Sequence, residues 1–111
     1  MIMNHVELIQ ALQKHGESIL SLYAGITGEE VRWKPAPEKW SLLEILNHLC
    51  DEEREDFRKR LALVLENPEL DWPPINPEGW VREKDYNSRD LEKSLSDLRK
   101  ERAISLEWLR S

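Results

Sequence analysis

The chain has 111 residues and a formal net charge of −6, with 40% hydrophobic and 34% charged residues. This length allows a single small domain spanning 1–111, and the balance is that of a globular protein rather than of a disordered tail. The acidic surplus argues against nucleic acid or an anionic membrane as the partner, because both attract clustered Lys and Arg.

The amino-terminal region and the single cysteine indicate where in the cell the protein is located. The first residues lack a basic segment followed by an apolar core, so no signal peptide is expected. No apolar run approaches the roughly 18 residues that a membrane helix requires. Cys50 has no second cysteine with which to form an internal disulfide and suits a reducing environment. We therefore expect a cytoplasmic protein that does not enter a membrane.

The first predicted helix covers about residues 4–24. Gly16 lies on its apolar side and costs about 1 kcal/mol against Ala in a helix interior, which indicates close approach of another backbone or a kink. Gly25 and Gly28 bracket the helix end, and residues 29–31 are expected to form a short helical turn. The apolar side of the helix is marked, at three- and four-residue steps, by Leu8, Leu12, Ile19, Leu22 and Tyr23.

The second predicted helix covers 42–66 and has a well-marked start. Ser41 and Glu44 fit a capping box, in which each side chain satisfies a backbone N–H at the helix start. Pro35 and Pro37 keep the preceding segment out of a helix. The face expected to be buried is apolar at all but one position and consists of Leu46, Leu49, Glu53, Phe57, Leu61 and Val64.

The middle of this helix, residues 51–60, is a charged run in which acidic residues precede basic ones. Glu55 with Lys59 and Asp56 with Arg60 are favourable pairs at i,i+4 spacing. The run is typical of a solvated helix face.

A 20-residue stretch, 68–87, follows the second helix and is rich in proline. A connection this long without structure of its own is uncommon in a compact domain. In a helical bundle it would cross from one end to the other, so that consecutive helices run parallel. We therefore predict a crossover loop whose apolar side chains lie across the bundle, among them Trp72, Ile75, Trp80 and Tyr86.

The third predicted helix covers 88–110, with Asn87 or Ser88 as its cap. Arg102 lies in its apolar row, which predicts pairing with a carboxylate or snorkelling to the surface. No alternating pattern predicts a strand, so the expected fold class is all-α. The pattern is still helical at the last residue, and the parallel crossover leaves a groove for a fourth helix. We expect a second copy to fill that groove, or the chain to be part of a longer protein.

Residues Trp33 to Leu49, with the string Trp-Lys-Pro-Ala-Pro-Glu-Lys-Trp-Ser and then Glu-Ile-Leu-Asn-His-Leu, resemble the DinB-like (YfiT-like) helical family. The similarity continues through Tyr86, Asp90-Leu91, Arg102 and Trp108-Leu109. The resemblance implies an up-down-down-up four-helix bundle, here with three long helices and without the fourth. It also implies a divalent-metal-dependent hydrolase or a transferase that uses small cellular thiols.

The resemblance further implies a nickel, zinc or iron ion held by three histidines, of which only one has a counterpart here. His48 matches the ligand of the second helix, whereas the expected His-x-x-x-His pair of the fourth helix has none. The implied site is therefore incomplete, with metal weakly bound or absent. No catalytic residue and no binding residue for an organic cofactor can be named.

The residues around His48 leave alternatives open. Asp51 or Glu52 could share its helix face and contribute a carboxylate, and His15 could reach it if the first two helices pack antiparallel. Cys50 points about 200° away and cannot join it; we expect a small buried hydrophobe there. His5 lies roughly 15 Å from His15 along the helix, so those two cannot share an ion.

Two structural interpretations compete with these functional ones. His48 would be a core histidine hydrogen-bonded to Glu52 or to a backbone carbonyl. The five tryptophans would supply large apolar volume to a small core, the alternative being an aromatic substrate pocket. The competing function is a non-catalytic module that forms a homodimer through its open groove.

Overall fold

The computed structural model describes residues 4–72 and 74–111, and Pro73 of the predicted crossover lies outside them. Helices are the sole regular structure in these residues, which confirms the predicted all-α class. The chain forms three long helical segments, here called rods. The first rod is α1, His5–Leu22, and the last is α6, Leu91–Arg110. The middle rod is built from α3, Leu42–Glu52, a π-helical segment, Glu53–Phe57, and α4, Arg58–Glu66.

The rods run in the directions that a crossover requires. The His5 ring contacts the carbonyl of Leu109, so α1 and α6 are antiparallel. The Asn47 amide donates to Ser94 Oγ at 3.0 Å near the start of both α3 and α6, so the middle rod and α6 are parallel. None of the described helices is long and apolar enough to cross a membrane.

The start of α3 is capped as predicted. The Glu44 backbone N–H donates to Ser41 Oγ at 3.1 Å, and the Ser41 N–H donates to Glu44 Oε1 at 2.8 Å. The predicted turn at 29–31 is also confirmed, because α2 covers Gly28–Arg32. A second capping box, formed by Thr27 and Glu30, begins that short helix.

The crossover is not the structureless loop that the prolines predicted. It contains α5, Pro77–Glu83, which begins where Asn76 Oδ1 accepts from the Gly79 N–H at 3.1 Å. Pro77 occupies the first helical turn, where its missing N–H costs nothing. A 3₁₀ turn, Tyr86–Ser88, follows α5.

The cap of α6 also differs from the prediction. Asp90 caps the helix by accepting from the Lys93 N–H at 2.8 Å, so Asn87 and Ser88 lie before the helix. Both predicted caps have other partners. Asn87 bonds to Ser41 Oγ and to the carbonyl of Arg32, whereas Ser88 Oγ donates to the carbonyl of Asp85.

The buried face of the middle rod is rotated from the predicted one. Phe57 and Val64, which were expected inside, are 37% and 49% exposed. The π-helical segment adds a residue to its turn, so a stripe extended at the α-helical period leaves the core beyond Glu53. The buried residues of the rod are Leu43, Glu44, Leu46, Asn47, Cys50, Asp51 and Glu53.

Gly16 accommodates a side chain rather than another backbone. A Cβ atom at this position would lie 3.1 Å from Arg102 Cγ, and α1 continues as α-helix past it. Arg102 donates to Glu53 Oε1 at 2.8 Å and to the carbonyl of Leu12. The predicted pairing of Arg102 with a carboxylate is therefore confirmed.

The core has two parts, and of the five tryptophans only Trp108 packs against either of them. The larger cluster joins the carboxyl end of α1, together with α2 and α3, to the first half of α6. The smaller cluster joins the amino end of α1 to the carboxyl end of α6. Trp33 and Trp72 are exposed, and the other three tryptophans are half-buried. The prediction that the tryptophans fill the core is therefore wrong for four of the five. The residues that do are Tyr23, Val31, Leu43, Leu46, Cys50, Leu91 and Leu98, and then Ile9, Leu106 and Leu109.

Candidate functional site

His48 lies on a half-exposed face of α3, between an aromatic ring and a carboxylate. The Trp40 ring meets it edge-on, with centroids 4.9 Å apart at 63°. His48 Nε2 is 3.7 Å from Glu52 Oε1, and both side chains are about one quarter exposed, at 23% and 26%. This distance is longer than that of a hydrogen bond.

The same face continues along the middle rod as a row of polar side chains at i,i+4 steps, namely His48, Glu52, Asp56 and Arg60. Asp56 Oδ1 is 2.6 Å from Arg60 Nε, as the sequence predicted. The Arg60 guanidinium lies 4.7 Å from the ring centroid of Trp72. A tryptophan thus stands at each end of the row.

The pKa values of His48 and Glu52 both shift toward the neutral form. Burial lowers the pKa of His48 and outweighs the opposing charge of Asp51. Burial, together with the neighbouring carboxyl of Asp56, raises the pKa of Glu52 to about 7 against the opposing charge of Arg60. His48 Nδ1 is buried without a hydrogen-bond partner among the described residues. The imidazole is therefore neutral at pH 7, the form that can ligate a metal.

The described residues do not make a complete metal site. Two ligands that share one ion, each about 2 Å from it, lie roughly 3 to 4 Å apart. The separation of 3.7 Å between His48 Nε2 and Glu52 Oε1 fits that geometry. No group of three or more His, Cys, Asp or Glu side chains suited to a metal occurs within residues 4–72 and 74–111.

None of the other candidate ligands joins His48 and Glu52 in a group of three among the described residues. His15 is exposed on α1, and His5 contacts the carbonyl of Leu109. Cys50 is 6% exposed, and burial, with the charge of Asp51, raises the pKa of its thiol to about 11. It is therefore the unreactive buried side chain that was predicted.

Asp51 belongs to a buried polar cluster that sequence reasoning missed. It is 2% exposed and accepts hydrogen bonds from Tyr86, from Lys84 at 2.9 Å, and from Arg54. Burial raises the pKa of Asp51, but the bonds from Tyr86 and Lys84 outweigh this effect and hold it below its usual value. Burial and the Asp51 carboxylate raise the pKa of Tyr86. These hydrogen bonds connect Lys84 and Tyr86 of the crossover to Asp51 of α3.

One signal in the sequence could have revealed this cluster. A tyrosine that lies across a helical bundle requires a polar partner for its hydroxyl, and Tyr86 is such a residue. Asp51 stands four residues after Asn47 and eight after Leu43, both of which are buried. That spacing places the carboxylate on the core face of α3.

An apolar groove between α1 and α6 is a second candidate site. Its volume is about 200 Å³. Glu17 stands on its α1 side and Arg99 on its α6 side, and both are exposed. The floor and walls are formed by Gly16, Ile19, Leu20, Leu98, Ala103 and Leu106.

The all-α fold agrees with the comparison to known families. The family model of the DinB superfamily matches residues 11–111, so the chain belongs to this superfamily of helical proteins. No curated protein and no solved structure matches the chain significantly.

Proposed function

We propose that this DinB-superfamily chain supplies two ligands, His48 and Glu52, to a divalent-metal site of a hydrolase or a thiol-using transferase. The observation that carries the proposal is the 3.7 Å contact between a neutral imidazole and a half-buried carboxyl. Nickel, zinc and iron all suit a His and carboxylate donor set. Water, substrate or ligands from another chain would fill the remaining positions.

The two side chains have distinct roles in this proposal. His48 Nε2 donates its lone pair, and the Trp40 ring orients the imidazole edge-on. Glu52 would hold the cation as a carboxylate, since a nearby positive charge favours the ionised form and opposes the raised pKa. The metal would supply Lewis-acid chemistry.

Metal binding tests the proposal directly. Purified protein is freed of metal with a chelator and titrated with Ni²⁺, Zn²⁺ or Co²⁺ in a calorimeter. We expect His48→Ala to weaken binding at least about tenfold, and Glu52→Gln to weaken it by a comparable factor. His15→Ala is the matched control, since His15 is exposed on a different helix.

Equal affinity in the wild type and both site variants would overturn the proposal. A loss in His15→Ala of the same size as in His48→Ala would also contradict it, because the bound ion would then lie elsewhere.

The second candidate is a non-catalytic module that acts as a homodimer. The apolar groove between α1 and α6 favours it, since buried apolar area is the main driving force for association. Sedimentation equilibrium on metal-free protein distinguishes the two functions: a metal-free dimer supports this candidate, and a metal-binding monomer supports the first. A cytoplasmic location, with no nucleic acid as partner, is part of both proposals.

A further inference from the structure

The groove between α1 and α6 is bordered by two unpaired charges of opposite sign. Neither Glu17 nor Arg99 has an ion-pair partner among the described residues. Both charges lie at one level of the groove. Gly16 of α1 faces Arg102 of α6, and the two helices are antiparallel. Glu17 is the residue after Gly16, and Arg99 is three residues before Arg102.

We propose that this groove is the contact surface between two copies of the chain, related by a two-fold axis parallel to α1 and α6. Such an axis lays α1 of each copy over α6 of the other at the same level. Glu17 of one copy then faces Arg99 of the other, and the pair occurs twice. The proposal rests on the second candidate function for dimerisation through this groove and adds the arrangement of the two copies.

Charge complementarity selects this arrangement over its alternative. A two-fold axis across the helices at the same level would set α1 against α1. Glu17 would then face Glu17 of the second copy, and Arg99 would face Arg99, which costs free energy. Both axes make isologous interfaces, so the charges alone select between them.

The size of the face fits a specific interface. The 18 residues of α1 span about 27 Å at 1.5 Å per residue. Two helices packed side by side present a face about 20 Å wide. Two such faces bury roughly 1,100 Å² in total, just above the lower limit of specific interfaces. The small side chain of Ala103, which is exposed on α6, lets the second copy approach closely.

Charge reversal tests the arrangement, with sedimentation equilibrium as the readout. E17R and R99E each place like charges opposite each other at two points, so we expect the dimer dissociation constant to rise at least about tenfold. An equimolar mixture of the two variants regains both complementary contacts in the heterodimer. We expect the mixture, and the double variant E17R/R99E, to recover the wild-type constant within about threefold.

The matched controls are E38R and K39E, which reverse exposed charges in the segment before α3. Circular dichroism verifies that every variant is folded. The proposed surface is wrong if E17R and R99E dimerise as tightly as the wild type. It is also wrong if mixing the two variants does not restore the wild-type dissociation constant. Neither result contradicts dimerisation itself. A monomeric wild type overturns both this inference and the second candidate function, and the metal titration is unaffected by either result.

Discussion

Glu52 stands between His48 and Asp56 on the half-exposed face of the middle rod, and its pKa is raised to about 7. Because the folded state binds this proton more tightly than the unfolded chain, deprotonation of Glu52 costs folding free energy. The cost is absent below about pH 4.5 and complete above about pH 7. A carboxyl kept at this cost on a surface helix is typical of a functional position.

We expect Glu52→Gln to raise the free energy of unfolding at pH 8 and to change it little at pH 4.5. The gain at pH 8 should be about 1 kcal/mol, since exposure and sharing of the proton with Asp56 reduce the effect. Urea denaturation of metal-free protein at the two pH values measures the difference.

Glu55→Gln is the control of opposite sign. Lys59 lowers the pKa of Glu55, with burial opposing and Arg54 assisting. A lowered pKa stabilises the fold above the unfolded pKa, so this variant should lose stability at pH 8 and keep it at low pH. A gain from Glu52→Gln that is equal at both pH values would contradict the assigned cause.

Two helices of the chain begin with the same capping box in different surroundings. Thr27 and Glu30 are exposed at the start of α2. Ser41 and Glu44 are buried at the start of α3, at 1% and 4% exposure, and Ser41 Oγ also bonds to Asn87. The second box therefore connects α3 to the 3₁₀ turn of the crossover, whereas the first serves only its own helix.

This contrast predicts that removing the capping hydroxyl lowers the free energy of unfolding by different amounts at the two helices. Ser41→Ala should lower the free energy of unfolding by about 2 kcal/mol, because it removes the cap and leaves Asn87 Oδ1 without its hydrogen-bond donor. Thr27→Ala should cost only about 0.5 to 1 kcal/mol. Chemical denaturation of the two variants tests the difference, and equal losses would mean that the bond to Asn87 adds no stability.

At the scale of the whole molecule, Arg102 connects all three rods. From α6 it reaches Glu53 in the π-helical segment and the carbonyl of Leu12 in α1. Glu53 is only 6% exposed, so removal of the guanidinium would leave a buried carboxylate without its partner. Losing one member of a buried pair costs far more than replacing both.

We expect Arg102→Leu to lower the free energy of unfolding by about 3 kcal/mol or more. The double variant Glu53→Leu/Arg102→Leu should be more stable than Arg102→Leu alone, because it buries no unpaired charge. Urea denaturation at pH 7 gives both values. If the double variant is the less stable of the two, the pair does not act through an unpaired carboxylate.

Local patterns predicted the parts of the fold that depend on neighbouring residues. The capping box at Ser41 and Glu44, the helical turn at Val31 and the pairs Glu55–Lys59 and Asp56–Arg60 all lie within four positions along the chain. Their physics is contained in a single helical turn, so spacing alone is sufficient. The partner of Arg102 was predicted by type but not by identity.

The sequence by itself determined the helical class, the start of the middle rod and the membership suggested by the string from Trp33 to Leu49. Only the tertiary structure decided that Asp51 is buried against Tyr86 while His48 and Glu52 remain half-exposed. These outcomes depend on which rod packs on which face, and on the π-helical turn that rotates the face beyond Glu53. Contacts between residues some 35 positions apart leave no periodic trace in the chain, so packing had to reveal them.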